Sequence, residues 1–308
     1  MPDQALYILG PESPGDPLDC VAAAAPFLAA RYDAIRTVGP GQPMSLRSMR
    51  RIYAPGVDRL LYDFTAPADH SWAMEALLHW PGAVLLAGRA PVVLSAAATG
   101  LRSAQRYAAE GFRFPPSATI GALDGAPLPL RASSLARPAA TISALPQTDD
   151  LALAVGPGAI ETAYAALLGL AGESASVAII AAARRDANDL IDIIDALQIT
   201  SARVRYVRSR KDAVAAATCA GGLIDALMPD HGLSDAGFAA HCVGAPVLSL
   251  TSRDSAARQA ADFADAKPAR DPAAAQEFAA ARPASAFADS LVALIEAGFH
   301  QARTGNAA

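Results

Sequence analysis

One loop in the second half of the chain carries polar side chains whose types and spacing could bind a sugar or a phosphate. His231 could donate to a sugar hydroxyl or pair with a diphosphate, with Asp230 or Asp235 orienting the imidazole. Gly232 would let a ligand approach the backbone closely, and Ser234 followed by Asp235 is typical of a capped helix start. A capped loop with a histidine that faces solvent explains the same residues, and both interpretations stay open.

Two other places have a composition that suits a phosphate. The run 10–15 (GPESPG), which ends at Gly15, follows a short apolar run and offers backbone N–H groups to an anion. Arg184 and Arg185 follow an apolar run, at the end where open α/β sheets bind ligands, and a guanidinium pairs bidentately with phosphate. Ordinary turn residues and a solvated helix start are the alternatives. The loop is not a G-x-G-x-x-G, so a nicotinamide cofactor finds no support.

The histidines and cysteines give no metal-site pattern. His70 and His79 bracket one predicted helix, so they do not share the i, i+4 face that zinc-binding histidine pairs use. Cys20, Cys219 and Cys242 have no C-x-x-C spacing, which argues against a zinc site or a disulfide framework. No nucleophile elbow of a Ser-His-Asp hydrolase is present in the sequence. We therefore expect no metal and no cofactor.

Composition limits the class of protein and its partners. The chain has 308 residues, 53% of them hydrophobic, and a net charge of -5, which argues against a nucleic-acid partner. No uninterrupted apolar run approaches the roughly 20 residues of a spanning helix, and the N-terminus has no basic region of a signal peptide. We expect a soluble cytoplasmic protein without a transmembrane segment.

Short apolar runs alternate with predicted helices along the chain, which is typical of βαβ units and a parallel sheet. This rhythm fails between 112 and 148, where Pro, Ser and Ala dominate. We predict two Rossmann-like α/β domains: an N-terminal domain over 1–115, a linker over 116–144, and a C-terminal domain over 145–308. The last of these includes the final helix, whose apolar residues recur on one face.

Several blocks, in the correct order, resemble family-four glycosyltransferases of the GT-B fold. Residues 8–15 resemble their first strand and glycine-bearing loop, and residues 27–38 their first helix and second strand. The stretch 60–87 is similar to a bacterial subgroup motif that has a His-bearing helix and then H-P-G-V-V-V-L-H-D, here HWPGAVLLAG ending at Gly88. Residues 177–247 follow the order of the donor domain. The resemblance covers most of the chain and implies two Rossmann-like domains in a GT-B arrangement.

The residues that carry the family's chemistry differ. In the family's sugar loop one glutamate begins the loop and another follows eight positions later, and these places hold His231 and Ala239 here. The Arg and Lys that hold the diphosphate are missing from 156–162. The His-Asp pair after an acceptor-domain strand is replaced by Ala87 and Gly88. These departures predict weak or lost activity.

The resemblance implies a metal-independent, retaining hexosyl transfer from a nucleotide sugar to a glycan or lipid-linked acceptor, in polysaccharide or glycoconjugate biosynthesis. It places the acceptor on the N-terminal domain, beside His70 and Gly88, and transfer in the cleft. The alternative is a non-catalytic GT-B pseudoglycosyltransferase that scaffolds or activates a partner transferase, and a homodimer is a further assembly it allows. No catalytic residue is assigned. The predicted donor-binding residues are Gly15, Arg184, Arg185, His231, Gly232, Ser234 and Asp235.

Overall fold

The computed structural model describes residues 4–10, 16, 18–65, 70–88, 117–124, 132–139, 142, 145–146, 148, 150–156, 158–171, 176–181, 184–199, 202–206, 210–228 and 232–305. The chain forms two compact units. The first unit comprises 1–15, 19–138 and 282–308, and the second comprises 16–18 and 139–281.

Strands and helices alternate through both units, as the apolar rhythm predicts. The strands are β1 (Ala5–Leu9), β2 (Ala34–Val38), β3 (Arg59–Phe64), β4 (Ala83–Gly88), β5 (Thr119–Asp124), β6 (Ala132–Ser134), β7 (Leu151–Val155), β8 (Val177–Ala181), β9 (Ala202–Tyr206), β10 (Gly222–Ala226) and β11 (Val247–Leu250). The helices are α1 (Cys20–Leu28), α2 (Leu46–Ile52), α3 (Ser71–His79), α4 (Ile160–Leu170), α5 (Arg184–Leu197), α6 (Arg210–Cys219), α7 (Asp235–Cys242), α8 (Arg253–Ala266), α9 (Pro272–Ala280) and α10 (Ala284–Gly305).

The sheet of the first unit is parallel, in the order β2-β1-β3-β4-β5-β6. All of β1 is buried. Because side chains alternate between the two faces of a strand, Tyr7 and Leu9 pack with α3, whereas Leu6 and Ile8 pack with α1 and α10. Helices on both faces explain why the strands are continuous apolar runs rather than alternating ones.

The final helix belongs to the first unit, although we predicted it within the C-terminal domain. Phe287, Leu291 and Ile295 on its apolar face are buried with the strands of the first sheet. Gly298 lets the helix approach β4 closely, because a Cβ there would lie 2.7 Å from the Ala83 nitrogen. Spacing identified the apolar face of this helix, but it held no information on which sheet would cover that face.

The predicted linker contains two strands of the first sheet. β5 pairs with β4, and β6 pairs with β5, so residues 119–124 and 132–134 extend the sheet beyond the predicted boundary at 115. The Leu135 nitrogen continues this pairing by donating to the Ala122 carbonyl at 2.7 Å. β5 (TIGALD) is interrupted by a glycine and ends in an aspartate, and β6 (ASS) consists of three small residues. Neither has the continuous apolar run of a buried strand, so pairing within the sheet defines them.

The sheet of the second unit is also parallel, in the order β11-β10-β7-β8-β9. Its core is rich in alanine, which allows the covering helices to approach one another closely. A Cβ built at Gly169 in α4 would overlap the Ala257 carbonyl of α8. Small residues at this crossing therefore account for part of the high alanine content.

Residues 272–304 are long and apolar enough to cross a membrane by length and composition alone, which our sequence analysis did not anticipate. The structure divides this stretch into α9 and α10. Phe287, Leu291, Leu294 and Ile295 of α10 are buried in the first unit. The apolar face of α10 thus packs in a protein core.

Candidate functional site

The carboxyl edge of the second sheet contains a reversal of strand order. β8 and β9 lie on one side of β7, and β10 and β11 lie on the other. Open α/β sheets bind ligands beyond the carboxyl ends of the strands at such a reversal. Gly156 follows β7 there and donates its N–H to the Ala226 carbonyl at 2.9 Å. This edge between β7 and β10 is the candidate donor site.

The N-terminus of α4 opens at this edge without a capping side chain. Ala159 occupies the N-cap position, and Gly158 before it has a φ of +76°, which glycine adopts without strain. The first N–H groups of the helix and its dipole suit a phosphate group. Glu161 in the first turn opposes an anion, although it forms an exposed ion pair with Arg253 at 3.3 Å.

Arg184 and Arg185 are the first residues of α5, which follows β8. β8 pairs with β7, so this helix start lies at the same sheet edge, one strand away from the reversal. Their backbone therefore lies at the carboxyl edge of the sheet, beside the candidate donor site. Their side chains lie outside the described residues, and their role as donor ligands stays a prediction.

The loop after β10 ends in a capped helix, as predicted. Ser234 is the N-cap of α7, and its hydroxyl oxygen accepts the Gly237 N–H at 3.0 Å. Gly232 is exposed, and Asp235 is the first residue of the helix. His231 and Gly15, two of the predicted donor-binding residues, lie outside the described residues.

Asp235 is tied to a buried arginine rather than held ready for a ligand. The Arg210 Nε donates to Asp235 Oδ2 at 2.7 Å, and its Nη1 donates to Asp16 Oδ2 at 3.2 Å. The Arg210 side chain is 5% exposed. Two carboxylates therefore balance this guanidinium, and they attach the segment 16–18 and the start of α7 to α6. Sequence analysis did not identify Arg210, since its two partners are distant along the chain.

The position that holds the second glutamate in the family is occupied here by an alanine with apolar neighbours. Ala239 is fully buried in a cluster with Leu18, Val214 and Phe238. A carboxylate at this position would lose its water without gaining a charged partner from these neighbours. The apolar neighbours therefore suit an alanine at this position, and α7 has no carboxylate here that could bind a sugar.

Asp225 is a carboxylate of this region that sequence analysis missed. It lies in β10, is 0% exposed, and its Oδ2 accepts the Ser234 N–H at 3.1 Å. Its Oδ1 is buried and has no hydrogen-bond partner within the described part of the chain. Burial raises the pKa of this carboxyl from 3.8 to about 6, against the side-chain and backbone hydrogen bonds from Ser234, and the charge of Asp235 adds to the increase. A lone acid in the apolar run GLIDAL was the signal for it.

The first sheet also reverses its strand order, between β1 and β3. Gly10 follows β1 there, and a Cβ at Gly10 would lie 3.3 Å from that of Asp63. The Asp63 Oδ1 accepts the Thr65 N–H at 3.0 Å and the Thr65 hydroxyl at 2.7 Å. At the end of β2, a Cβ at Gly39 would lie 2.8 Å from the Trp72 ring. An indole therefore packs directly on the backbone at this edge.

The two predicted acceptor-side residues lie at neighbouring strand ends. His70 precedes α3, is 1% exposed, and packs on Phe64 with ring centroids 4.9 Å apart. Gly88 ends β4, which pairs with β3. His79, at the other end of α3, packs edge-on against Trp80. His70 is buried to a degree that leaves little of its ring for a ligand, so its place in an acceptor site stays a prediction.

No group of three or more His, Cys, Asp or Glu side chains within the described ranges is arranged to hold a metal ion. In the second unit, Arg210 pairs with Asp16 and Asp235, and Arg253 pairs with Glu161. The structure thus brings Arg184, Arg185, Gly232, Ser234 and Asp235 to the carboxyl edge of one sheet, with Asp235 committed to an ion pair.

Comparison with known proteins gives structural but not sequence matches. No family model and no curated protein sequence matches this chain. AviGT4, a glycosyltransferase involved in avilamycin A biosynthesis, is similar in structure over 97% of this chain and 98% of its own, with a TM-score of 0.51 and 13% sequence identity. This similarity shows the predicted fold class, two parallel-sheet α/β domains of the GT-B type.

Two further solved structures have lower similarity. A glycosyltransferase from Rickettsia africae has a TM-score of 0.47 at 9% identity, over 96% of this chain and 99% of its own. A UDP-N-acetylglucosamine 2-epimerase, so described for Listeria monocytogenes, has a TM-score of 0.45 at 11% identity, over 97% of both chains. Neither is similar enough to carry an argument about this chain.

Proposed function

We propose that this protein is a glycosyltransferase-like nucleotide-sugar-binding protein of the cytoplasm that transfers a hexosyl group in polysaccharide or glycoconjugate biosynthesis. The observation that carries this proposal is the reversal of strand order between β7 and β10, at which Gly156, Gly158 and the uncapped start of α4 meet. Such a place binds phosphate-bearing ligands in open α/β folds.

The donor is bound by the second unit in this proposal. Its diphosphate lies against the start of α4. Arg184 and Arg185, the first two residues of the next helix along the chain, supply the cations that bind it. Its sugar lies under the loop 227–234, which we name the donor loop and which includes His231 and Gly232. Ser234 fixes the end of this loop by capping α7.

Transfer breaks the bond between the sugar C1 and the diphosphate oxygen and forms a bond from C1 to an acceptor hydroxyl, whose proton passes to the leaving diphosphate. The reaction needs positive groups around the departing charge. Helix N–H groups and the two arginines supply them here. The acceptor, a glycan or a lipid-linked acceptor, is assigned to the first unit beside Trp72, His70 and Gly88. We assign no metal, and retention of configuration rests on the family resemblance alone.

A second candidate function has its own supporting observation. Ala239, which stands at the place of the family's second carboxylate, is surrounded by the apolar side chains of Leu18, Val214 and Phe238. This favours a pseudoglycosyltransferase that supports a partner transferase or a second copy of itself. Removing one preorganised transition-state donor commonly slows an enzyme by about 100- to 1,000-fold. Turnover by the isolated chain should accordingly be slow.

Titration calorimetry with UDP-, GDP-, ADP- and dTDP-sugars tests the binding step. We expect one nucleotide class to bind, and His231→Ala or Arg184→Ala/Arg185→Ala to weaken it by about 1–3 kcal/mol, as for a lost charge-assisted hydrogen bond. Arg47→Ala, in the exposed part of α2, is the matched control. Absence of binding across the panel would refute the proposal.

Release of nucleoside diphosphate then separates the two functions. Multiple turnovers by the purified chain with an acceptor favour the transferase. Binding without release, together with acceleration of a partner transferase, favours the scaffold.

A further inference from the structure

A cavity of about 380 Å³ lies over the amino halves of β1 and β2 in the first unit. Tyr7 of β1 and Arg36 of β2, which are partners in the parallel pairing, both line it. Asp33, just before β2, lies on the same wall, and the exposed side chain of Ile52 at the end of α2 adds an apolar surface. Cavities of roughly this volume hold small organic ligands.

The Tyr7 hydroxyl group is not used by the protein itself. Tyr7 is 1% exposed, and its hydroxyl group has no hydrogen-bond partner in the part of the chain that the structure describes. The other two buried tyrosines do have partners, since Tyr32 donates to Glu296 at 3.2 Å and Tyr62 donates to the Trp80 carbonyl at 2.6 Å. A buried phenol usually finds a partner, so this one is available to a molecule in the cavity.

The same hydroxyl group is a donor at neutral pH. Burial raises the pKa of Tyr7 and the charge of Asp58 raises it further, while Arg36 lowers it. The phenol therefore keeps its proton and can donate it to an anionic oxygen.

Arg36 brings a positive charge to this wall. Its guanidinium carbon lies 5.6 Å from the centroid of the Tyr7 ring, which is within the range of a cation–π contact. No ion pair joins this half-buried side chain to a carboxylate among the described residues. A guanidinium beside a protonated hydroxyl group suits a carboxylate, which accepts from both.

The two aspartates of the cavity differ in how far they are already bonded. Asp58 is 5% exposed, and its two oxygens accept the Ala5 N–H at 3.2 Å and the Ala54 N–H at 2.8 Å. Asp33 is exposed, and its Oδ2 accepts the Gln4 N–H at 2.6 Å. Oδ1 of Asp33 thus stays open to a donor from a ligand.

Arg36 and Asp33 line one cavity with opposite charges that are not paired with each other. Three residues of extended chain place their Cα atoms about 10 Å apart. An anion alone in this cavity would meet the charges of Asp33 and Asp58, and a cation alone would meet the charge of Arg36. A molecule that carries both charges satisfies the two ends of the cavity together.

We propose that this cavity binds a small zwitterion, a molecule with a carboxylate and a protonated amine such as a free amino acid. Its carboxylate accepts hydrogen bonds from the Arg36 guanidinium and the Tyr7 hydroxyl group. Its amine donates to Asp33, and its apolar part lies on Ile52. The site is separate from the candidate acceptor edge, because Gly39 lies at the carboxyl end of β2 and the cavity lies at the amino end.

Thermal unfolding of the whole chain in the presence of each common amino acid, followed by calorimetry on those that raise the melting temperature, tests the proposal. We expect at least one amino acid to bind with one molecule per chain. Propionate and ethylamine, which carry one of the two charges each, should bind about tenfold more weakly or less. No binding across the amino acids, or propionate that binds as tightly as the best of them, would overturn the inference.

Three variants locate the bound amino acid. Tyr7→Phe should weaken binding about fivefold and leave the unfolding free energy unchanged, since it removes a hydroxyl group without a partner among the described residues. Arg36→Leu should weaken binding at least about tenfold, whereas the matched control Arg47→Leu, on the exposed face of α2, should bind as wild type. Asp33→Asn should weaken amino-acid binding and leave propionate binding unchanged.

The outcomes separate this site from the rest of the molecule. Equal affinity in Arg36→Leu and Arg47→Leu, together with wild-type affinity in Tyr7→Phe, would place the amino acid elsewhere and refute the site. The single-atom change in Tyr7→Phe keeps this test open if Arg36→Leu does not fold. Competition between the amino acid and UDP would assign it to the candidate donor site and would equally overturn the inference, whereas binding that is unaffected by UDP supports it.

Discussion

Each unit buries an aspartate that joins a strand to a distant segment, and the two are bonded differently. In the first unit, Asp58 Oδ1 accepts the Ala5 N–H at 3.2 Å and Oδ2 accepts the Ala54 N–H at 2.8 Å. In the second unit, Asp225 Oδ2 accepts the Ser234 N–H at 3.1 Å, the Ser234 side chain also bonds this carboxyl group, and Oδ1 has no partner in the described ranges. Burial is similar, at 5% and 0% exposed, so hydrogen bonding distinguishes them.

The difference indicates that the two carboxyl groups have different roles. A carboxylate bonded through both oxygens holds its two backbone partners in one conformation. A carboxyl group bonded through one oxygen responds to pH, because its ionised form is poorly stabilised. In the first unit the carboxyl group joins two backbone N–H groups near the start of the first strand, and in the second unit the carboxyl group has a raised pKa.

The largest effect that we expect comes from Asp58→Ala. Removing both acceptors leaves the Ala5 and Ala54 N–H groups unpaired, which should lower the unfolding free energy of the first unit by about 3 kcal/mol. Both tryptophans, Trp72 and Trp80, lie in that unit, so urea unfolding followed by tryptophan fluorescence reports on it. A change below 1 kcal/mol would contradict the idea that Asp58 holds these two backbone partners.

Arg210→Met should destabilise the second unit by about 2 kcal/mol, since it removes a buried cation from Asp16 and Asp235. The effect stays below that of a fully buried pair because both acids can reach water. Circular dichroism during urea unfolding measures it, with the exposed Arg253→Met as the control, which should have no measurable effect. Equal effects of the two variants would show that the buried ion pairs of Arg210 do not stabilise the second unit.

The pH dependence of the unfolding free energy of Asp225→Asn tests whether Asp225 responds to pH. The folded pKa of Asp225 is raised, so its contribution to stability is greatest at low pH and is lost as pH rises through about 6. Relative to wild type, the variant should gain about 1.4 kcal/mol of unfolding free energy between pH 5 and pH 8. Urea titrations at both pH values measure this gain, and equal unfolding free energies of variant and wild type at both pH values would contradict it.

The smallest effect concerns the helix cap at the end of the donor loop. Ser234→Ala removes the acceptor for the Gly237 N–H and should lower the stability of α7 by about 1 kcal/mol. Hydrogen exchange of α7 measures this, and Ser234→Asp should restore most of the protection. No loss of protection in the alanine variant would show that Asp225 alone fixes this helix start.

Sequence patterns predicted most of the local structure and part of the site. The strands β1, β3 and β7 were identified from their apolar runs, because a parallel strand that is buried on both faces is a nearly continuous run of apolar residues. The cap at Ser234 was identified because capping is a short-range hydrogen bond. The site positions of Gly232, Arg184 and Arg185 followed from their places after predicted strands, while their function remains a prediction.

The rest depended on contacts between distant parts of the chain. β5 and β6 are strands because β4 and β5 pair with them, and α10 covers the first sheet although it comes last in sequence. Arg210 lies far in sequence from Asp16, and Asp225 becomes unusual only when α7 covers it and one of its oxygens is left without a donor among the described residues. The sequence by itself determined the apolar runs, the caps and the absence of the family's charged residues, because each is a property of neighbouring residues. The tertiary structure alone decided which sheet each helix covers and which buried carboxyl group is left partly bonded, because burial and pairing are set by residues that only folding brings together.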